Sequence, residues 1–93
     1  MNKYEDNTMV EPMDTIVLLN DNYIDKKLRA GYVGIVMDNY IKENGYVVVD
    51  FENPIDEKYN QPAIDIYKDD FRVISGSVED QKLVKKFRDL FKK

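Results

Sequence analysis

Ninety-three residues, 43% of them apolar, make one domain with enough hydrophobic side chain to enclose a core, which excludes global disorder. There is no cysteine and no histidine, so disulfides, thiolate or imidazole metal sites, and any catalytic scheme that needs Cys or His are excluded. The net charge of −4 is unevenly placed: residues 77–93 hold six Lys/Arg against three acids, which leaves −7 on residues 1–76. An acidic body repels phosphate backbones and attracts basic partners over about one Debye length, ~8 Å in physiological salt.

Residues 1–13 read as a loose lead-in, polar, mixed in charge and punctuated by Pro12, with no apolar core of a signal peptide. No apolar run approaches the roughly 20 residues that span a bilayer. Together with the missing cysteines these features set the expectation of a cytoplasmic protein that does not meet the membrane.

Thr15 to Leu19 is a short run rich in β-branched residues, followed by Asn20-Asp21-Asn22, and reads as a first strand. Asn20 to Ala30 is a long polar connection in which only Tyr23, Ile24 and Leu28 can tuck against the body. A second strand runs from Tyr32 to Met37. Gly34 inside it marks a sharp bend or a close backbone contact, because glycine otherwise weakens a strand interior. Tyr46 to Phe51 alternates with period two, Val47, Val49 and Phe51 on one face and Tyr46, Val48 and Asp50 on the other. Asn44-Gly45 before it is the pair that a two-residue hairpin turn prefers. Glu52 to Pro62 forms a second long loop; Ala63 to Tyr67 alternates as a fourth strand; Phe71 to Ile74 is a short fifth.

The final segment changes period. Val78, Leu83, Val84, Phe87, Leu90 and Phe91 recur every three to four residues, the stripe of an amphipathic helix over 77–92. Ser77 is placed to cap it, with Asp80 three residues on as in a capping box, and the acidic start and basic end agree with the helix macrodipole. The expected fold is mainly β: a single domain with a small, half-open SH3-like five-stranded barrel over 14–75 and a C-terminal amphipathic α-helix packed on one mouth or face.

The stretch Asp14 to Ile74 resembles a family of short bacterial proteins with an SH3-like barrel. The resemblance rests on the first strand Ile16 to Leu19, on Leu28 before the Gly-x-x-Gly-x-Val turn of Gly31, Gly34 and Val36, on Val47, Val49 and Phe51, and on Phe71 to Ile74. Tyr32 stands where the family pattern often has an acid. The turn is also similar to the KOW element of ribosomal and transcription-factor barrels, which bind nucleic acid through basic loops that this chain lacks. The family itself has no assigned activity to carry over; small stand-alone bacterial proteins of this kind are often immunity or antitoxin partners.

Carboxylates are the remaining candidates for chemistry. Asp50 and Asp65 fall on polar faces of neighbouring strands, where exposed strand acids are common and no nucleophile–base or glycosidase-like pattern accompanies them. Asp21, Asp25, Asp56 and Glu57 lie in loops without the spacing of a calcium loop and read as solvated acids. No catalytic residue, metal or cofactor is therefore assigned. Seven tyrosines without a tryptophan, interspersed with loop acids, point instead to an acidic–aromatic binding face. Its expected members are Tyr23, Asp25, Tyr40, Asp56, Glu57, Tyr59, Asp69 and Asp70. The function expected from these residues is non-enzymatic: an immunity or antitoxin module that neutralises a basic, nuclease-type toxin. The alternative is a KOW-like RNA- or ribosome-associated accessory contacting its target through Lys82, Lys85, Lys86 and Lys93, although the acidic body disfavours nucleic acid.

Overall fold

The computed structural model describes residues 2–51 and 61–90, and of Phe87, Arg88 and Leu90 the backbone alone. Five strands form one antiparallel sheet: β1 (Thr15–Leu18), β2 (Val33–Tyr40), β3 (Tyr46–Phe51), β4 (Gln61–Tyr67) and β5 (Phe71–Val73). Their order is β4-β3-β2-β1-β5. The sheet is not closed into a barrel: β4 and β5 are its two edges. A one-turn helix α1 (Ile41–Asn44) joins β2 to β3, and helix α2 (Val78–Leu90) follows β5. Among the described residues no helix is long and apolar enough to cross a membrane.

The period-two pattern of β3 sets the faces. Val47, Val49 and Phe51 are at most 2% exposed, while Tyr46, Val48 and Asp50 are half-buried on the other side. The inner face gathers Ile16, Leu18, Val36, Val47, Val49, Phe51, Ile66, Phe71 and Val73, roofed by Val10, Tyr23 and Leu28. Each such side chain contributes about 1.5–3 kcal/mol of transfer free energy before entropy is counted. Gly34 lies opposite both Ile16 on β1 and Phe51 on β3. A Cβ there would stand 2.5 Å from Val49 Cγ1 and 2.9 Å from both the Asp50 carbonyl oxygen and Phe51 Cδ1, so the expected close contact is real.

Three sequence expectations change. First, the opening segment is fastened rather than loose. Asn7–Met9 form a short 3-10 turn capped by the Asp6 side chain, Asn7 Nδ2 donates to the Phe71 and Lys68 carbonyls, and Val10 is buried. Lys3 bonds Asp14 at 2.7 Å, a contact that raises its pKa. Second, β2 does not end at Met37. It continues to Tyr40 past a bulge at Met37, where the register to β3 shifts between Val36 and Asp38. Third, Asn44-Gly45 is not a two-residue hairpin turn. Asn44 closes α1, and Gly45, at φ 80°, is its left-handed C-cap, donating its N–H to Ile41 and Tyr40 carbonyls. Asn-Gly suits this helix ending as well as a type I′ turn, and Ile41 packing against the core favours the helical turn.

Helix α2 lies on the outer face, at the β1–β5 end. Val84 is buried with Val17 and Ile74, and Leu83 is half-buried against them beside Leu19 and Val33. Ser77 Oγ accepts from the Asp80 N–H at 3.2 Å, as expected of an N-cap. Asp80 does not return the bond to Ser77. Its carboxylate reaches further back, accepting from Ser75 N at 2.5 Å and Ser75 Oγ at 2.9 Å, and lies 3.7 Å from Arg72 of β5. Those amide and hydroxyl bonds, then the guanidinium, hold the Asp80 carboxyl below the usual carboxylate range.

Gly34→Ala is expected to lower unfolding stability by about 1–3 kcal/mol, because backbone and two core side chains must move. Gly76→Ala, with nothing within 4 Å of the added carbon, should stay within about 0.5 kcal/mol; urea unfolding of both variants checks the contrast. Because the folded pKa of Asp80 is depressed, its stabilisation is present above the unfolded value of about 3.9 and is lost as pH falls through the lower folded value. Far-ultraviolet circular dichroism from pH 6 to 2 should show an acid transition that Asp80→Ala flattens.

Candidate docking face

Inner and outer faces are covered unequally. The inner face is roofed along the sheet; on the outer face the described apolar side chains of α2, Val84 and Leu83, pack on Val17, Leu19, Val33 and Ile74. Beyond these contacts the outer side chains of β2 and β4 from Ile35 to Tyr67 are exposed and those of β3 half-buried. Antiparallel partners opposite each other share a face, so the register assigns what this region presents. Tyr40, Tyr46 and Tyr67 stand in one row across the three strands. Their rings touch in sequence: Tyr40 and Tyr46 have centroids 5.8 Å apart and tilted, Tyr46 and Tyr67 are 5.7 Å apart and edge-to-face. The next row is Asp38, Val48 and Asp65. Beyond it Ile35 lies opposite Asp50.

The solvent reaches these side chains. Tyr67 is 53% exposed, Met37 43%, Tyr40 39% and Ile35 38%, and Asp38 and Asp65 are exposed as well. An aromatic row set beside carboxylates is the acidic–aromatic combination expected from composition, in a different place. The chemistry it supports is docking: amphipathic rings supply area, and carboxylates flanking Val48 supply sign.

Of the residues expected to form the binding face, Tyr40 belongs to this row. Tyr23 and Asp70 do not. Tyr23 is buried, 7% exposed, and its hydroxyl donates to Asp70 Oδ2 at 2.6 Å while accepting the Tyr67 N–H at 2.9 Å. Asn20 and Asn22 amides bond the other Asp70 oxygen at 2.8 and 3.2 Å. Burial, then the Asp70 hydrogen bond, pushes the Tyr23 phenol well above its ordinary value. The cluster is a clasp between the 19–31 connection and the β4–β5 turn. Asp25 is exposed in the short 3-10 turn Ile24–Lys26, outside the strands that carry the tyrosine row, and Asp69 is exposed in the β4–β5 turn, two residues beyond Tyr67. Asp56, Glu57 and Tyr59 lie outside the described residues.

The two strand acids considered as a pair are not opposite each other: Asp65 faces Val48, and Asp50 Oδ1 accepts the Ala63 N–H at 2.8 Å. That bond holds the irregularity in β4, where Ala63 takes φ 55°. Asp21 bonds the Ala30 N–H at 2.9 Å and lies 3.8 Å from Arg29. Among the described residues no group of three or more acids is arranged to hold a metal ion.

Compared with known proteins, the chain matches no family model, and neither the curated proteins nor the solved structures include a significantly similar one.

Tyr23→Phe removes one hydroxyl that serves two partners, leaving the Tyr67 N–H unmet. A loss of about 1–3 kcal/mol is expected in urea unfolding, together with faster amide exchange at Tyr67 than at Ile66.

Proposed function

We propose that the protein is a non-enzymatic binding module whose outer face, on β2, β3 and β4, receives a basic protein. One observation carries this reading: the continuous Tyr40–Tyr46–Tyr67 row lies beside Asp38, Val48 and Asp65, away from the cluster that Val84 and Leu83 of α2 join. Exposed aromatic rings in a patch are the residues that carry binding energy in protein interfaces, and carboxylates around them select the partner and speed its approach. The chain's overall −4 charge works in the same direction.

The strand order, with β1 beside β5, supports reading the sheet as an SH3-like barrel left open between β4 and β5. On that reading the most concrete role is an immunity or antitoxin protein. Its partner would be a basic, nuclease-type toxin domain, bound in the reducing interior of the cell. The exposed Lys82, Lys85 and Lys86 of α2 favour a second reading, an RNA- or ribosome-associated accessory. Counterion release would then make its binding fall steeply with salt.

Purification of tagged protein from its host, followed by identification of whatever co-elutes, tests the first reading. A basic protein should be recovered by the wild type. Charge reversal at Asp38 and Asp65 should slow its association about tenfold or more and reduce the salt dependence. Tyr46→Ala should raise the dissociation rate by a similar factor. Recovery undiminished by all three changes moves the interface elsewhere. RNA retained at low salt and released by Lys82, Lys85 and Lys86 substitution would favour the accessory reading.

A further inference from the structure

Resting on the reading of this face as a docking surface, we infer that its occupant is a basic amphipathic helix laid along β3, and not a strand added to the sheet edge. Strand addition needs a row of outward N–H and C=O groups, and both edges are interrupted. The Lys68 N–H donates to the Gly45 carbonyl at 3.0 Å, so in the antiparallel ladder the main-chain groups of Tyr67 and Asp65 are the ones that point away from β3. Those of Tyr67 are already taken, its N–H by the Tyr23 hydroxyl and its carbonyl by the Asp70 N–H at 3.0 Å. Pro62 has no N–H, and Ala63 spends its own on Asp50. Asp65 alone is left in the middle of β4. At the far edge β5 has three residues, and its Phe71 carbonyl accepts from Asn7. Two copies of this chain pairing through β4 would also bring Asp65 carboxylates near each other, which disfavours the second copy.

The layout of the face suits a helix instead. Its centre line along β3 is Tyr46 and Val48. Asp38 stands on one side of Val48 and Asp65 on the other, one strand away in each direction. Strands lie about 4.8 Å apart, so the two carboxylates are borne on strands about 10 Å apart, the diameter of one helix with its side chains. An apolar stripe seated on Tyr46 and Val48 would place flanking Lys or Arg residues over both aspartates. An added strand could meet Asp65 but not Asp38. Lys42 and Lys68 follow Tyr40 and Tyr67 in sequence, at the tyrosine end and beyond the carboxylate row, so the middle of the face keeps its negative sign.

Two synthetic peptides of identical Leu/Lys composition test this, one patterned with helical period and Lys flanking the Leu stripe, the other strictly alternating. Calorimetry and amide chemical shifts are read on the full chain. The helical peptide is expected to bind more tightly, gain helical circular dichroism, and shift the amides of Asp38, Tyr46, Val48 and Asp65. Asp38→Asn and Asp65→Asn should each weaken it severalfold, with unchanged spectra elsewhere showing that both variants remain folded. Preference for the alternating peptide, with sensitivity to Asp65→Asn but not to Asp38→Asn, overturns the helical occupant and leaves a basic partner standing. Binding of neither peptide to these residues overturns the docking face itself.

Discussion

The structure depends on the requirement that a two-faced sheet be covered twice. The alternation of β3 commits Val47, Val49 and Phe51 to one side and Tyr46 and Val48 to the other, and all of its neighbours inherit that division through the register. The inner side is satisfied within the chain by Val10, Tyr23 and Leu28 from the connecting segments. The outer side has α2, of whose described side chains Val84 is buried with Leu83 beside it at the β1–β5 end. One helix covers about two strands of a sheet this wide, given a helix diameter of about 10–12 Å and a strand spacing of about 4.8 Å. The outer face of β2–β4 is the geometric remainder.

Polar side chains secure what the modest core does not. Three of them act at a distance in sequence: Asp70 gathers Asn20, Asn22 and Tyr23; Asp80 holds Ser75 and approaches Arg72; Asn7 ties the opening segment to β5. Each joins a connecting segment or helix to an edge strand. Asp38 and Asp65, by contrast, face solvent on the strands that carry the tyrosine row.

The sequence was legible where a single strand carries its own signal. The alternation of Tyr46 to Phe51 encodes burial within one segment, and the structure places it as read; of the helical stripe, Val84 is buried and Leu83 half-buried, Val78 is exposed, the Phe87 and Leu90 side chains are not described, and Phe91 lies outside the described residues. Gly34 announced a close approach for the same local reason. The tyrosine row of the outer face was not legible in its place. Its tyrosines are brought into a row only by the extra residue at Met37, which shifts β2 against β3 so that Tyr40 meets Tyr46; nothing within β2 alone specifies that register. Tyr23 and Asp70 misled for the opposite reason. A tyrosine and an aspartate in loops look solvent-bound until the fold brings residues 47 positions apart within 2.6 Å.

A further consequence follows from the interrupted rims of the sheet. A small protein with an exposed aromatic flank faces the hazard of stacking into cross-β fibrils, which grow by templating new strands on an exposed edge. Here the Tyr23 hydroxyl and the Asp70 amide take the outward groups of Tyr67 on β4, Pro62 lacks an N–H, and the Asn7 amide takes the Phe71 carbonyl on β5. The direction of strand templating is thus interrupted independently of what the aromatic flank does.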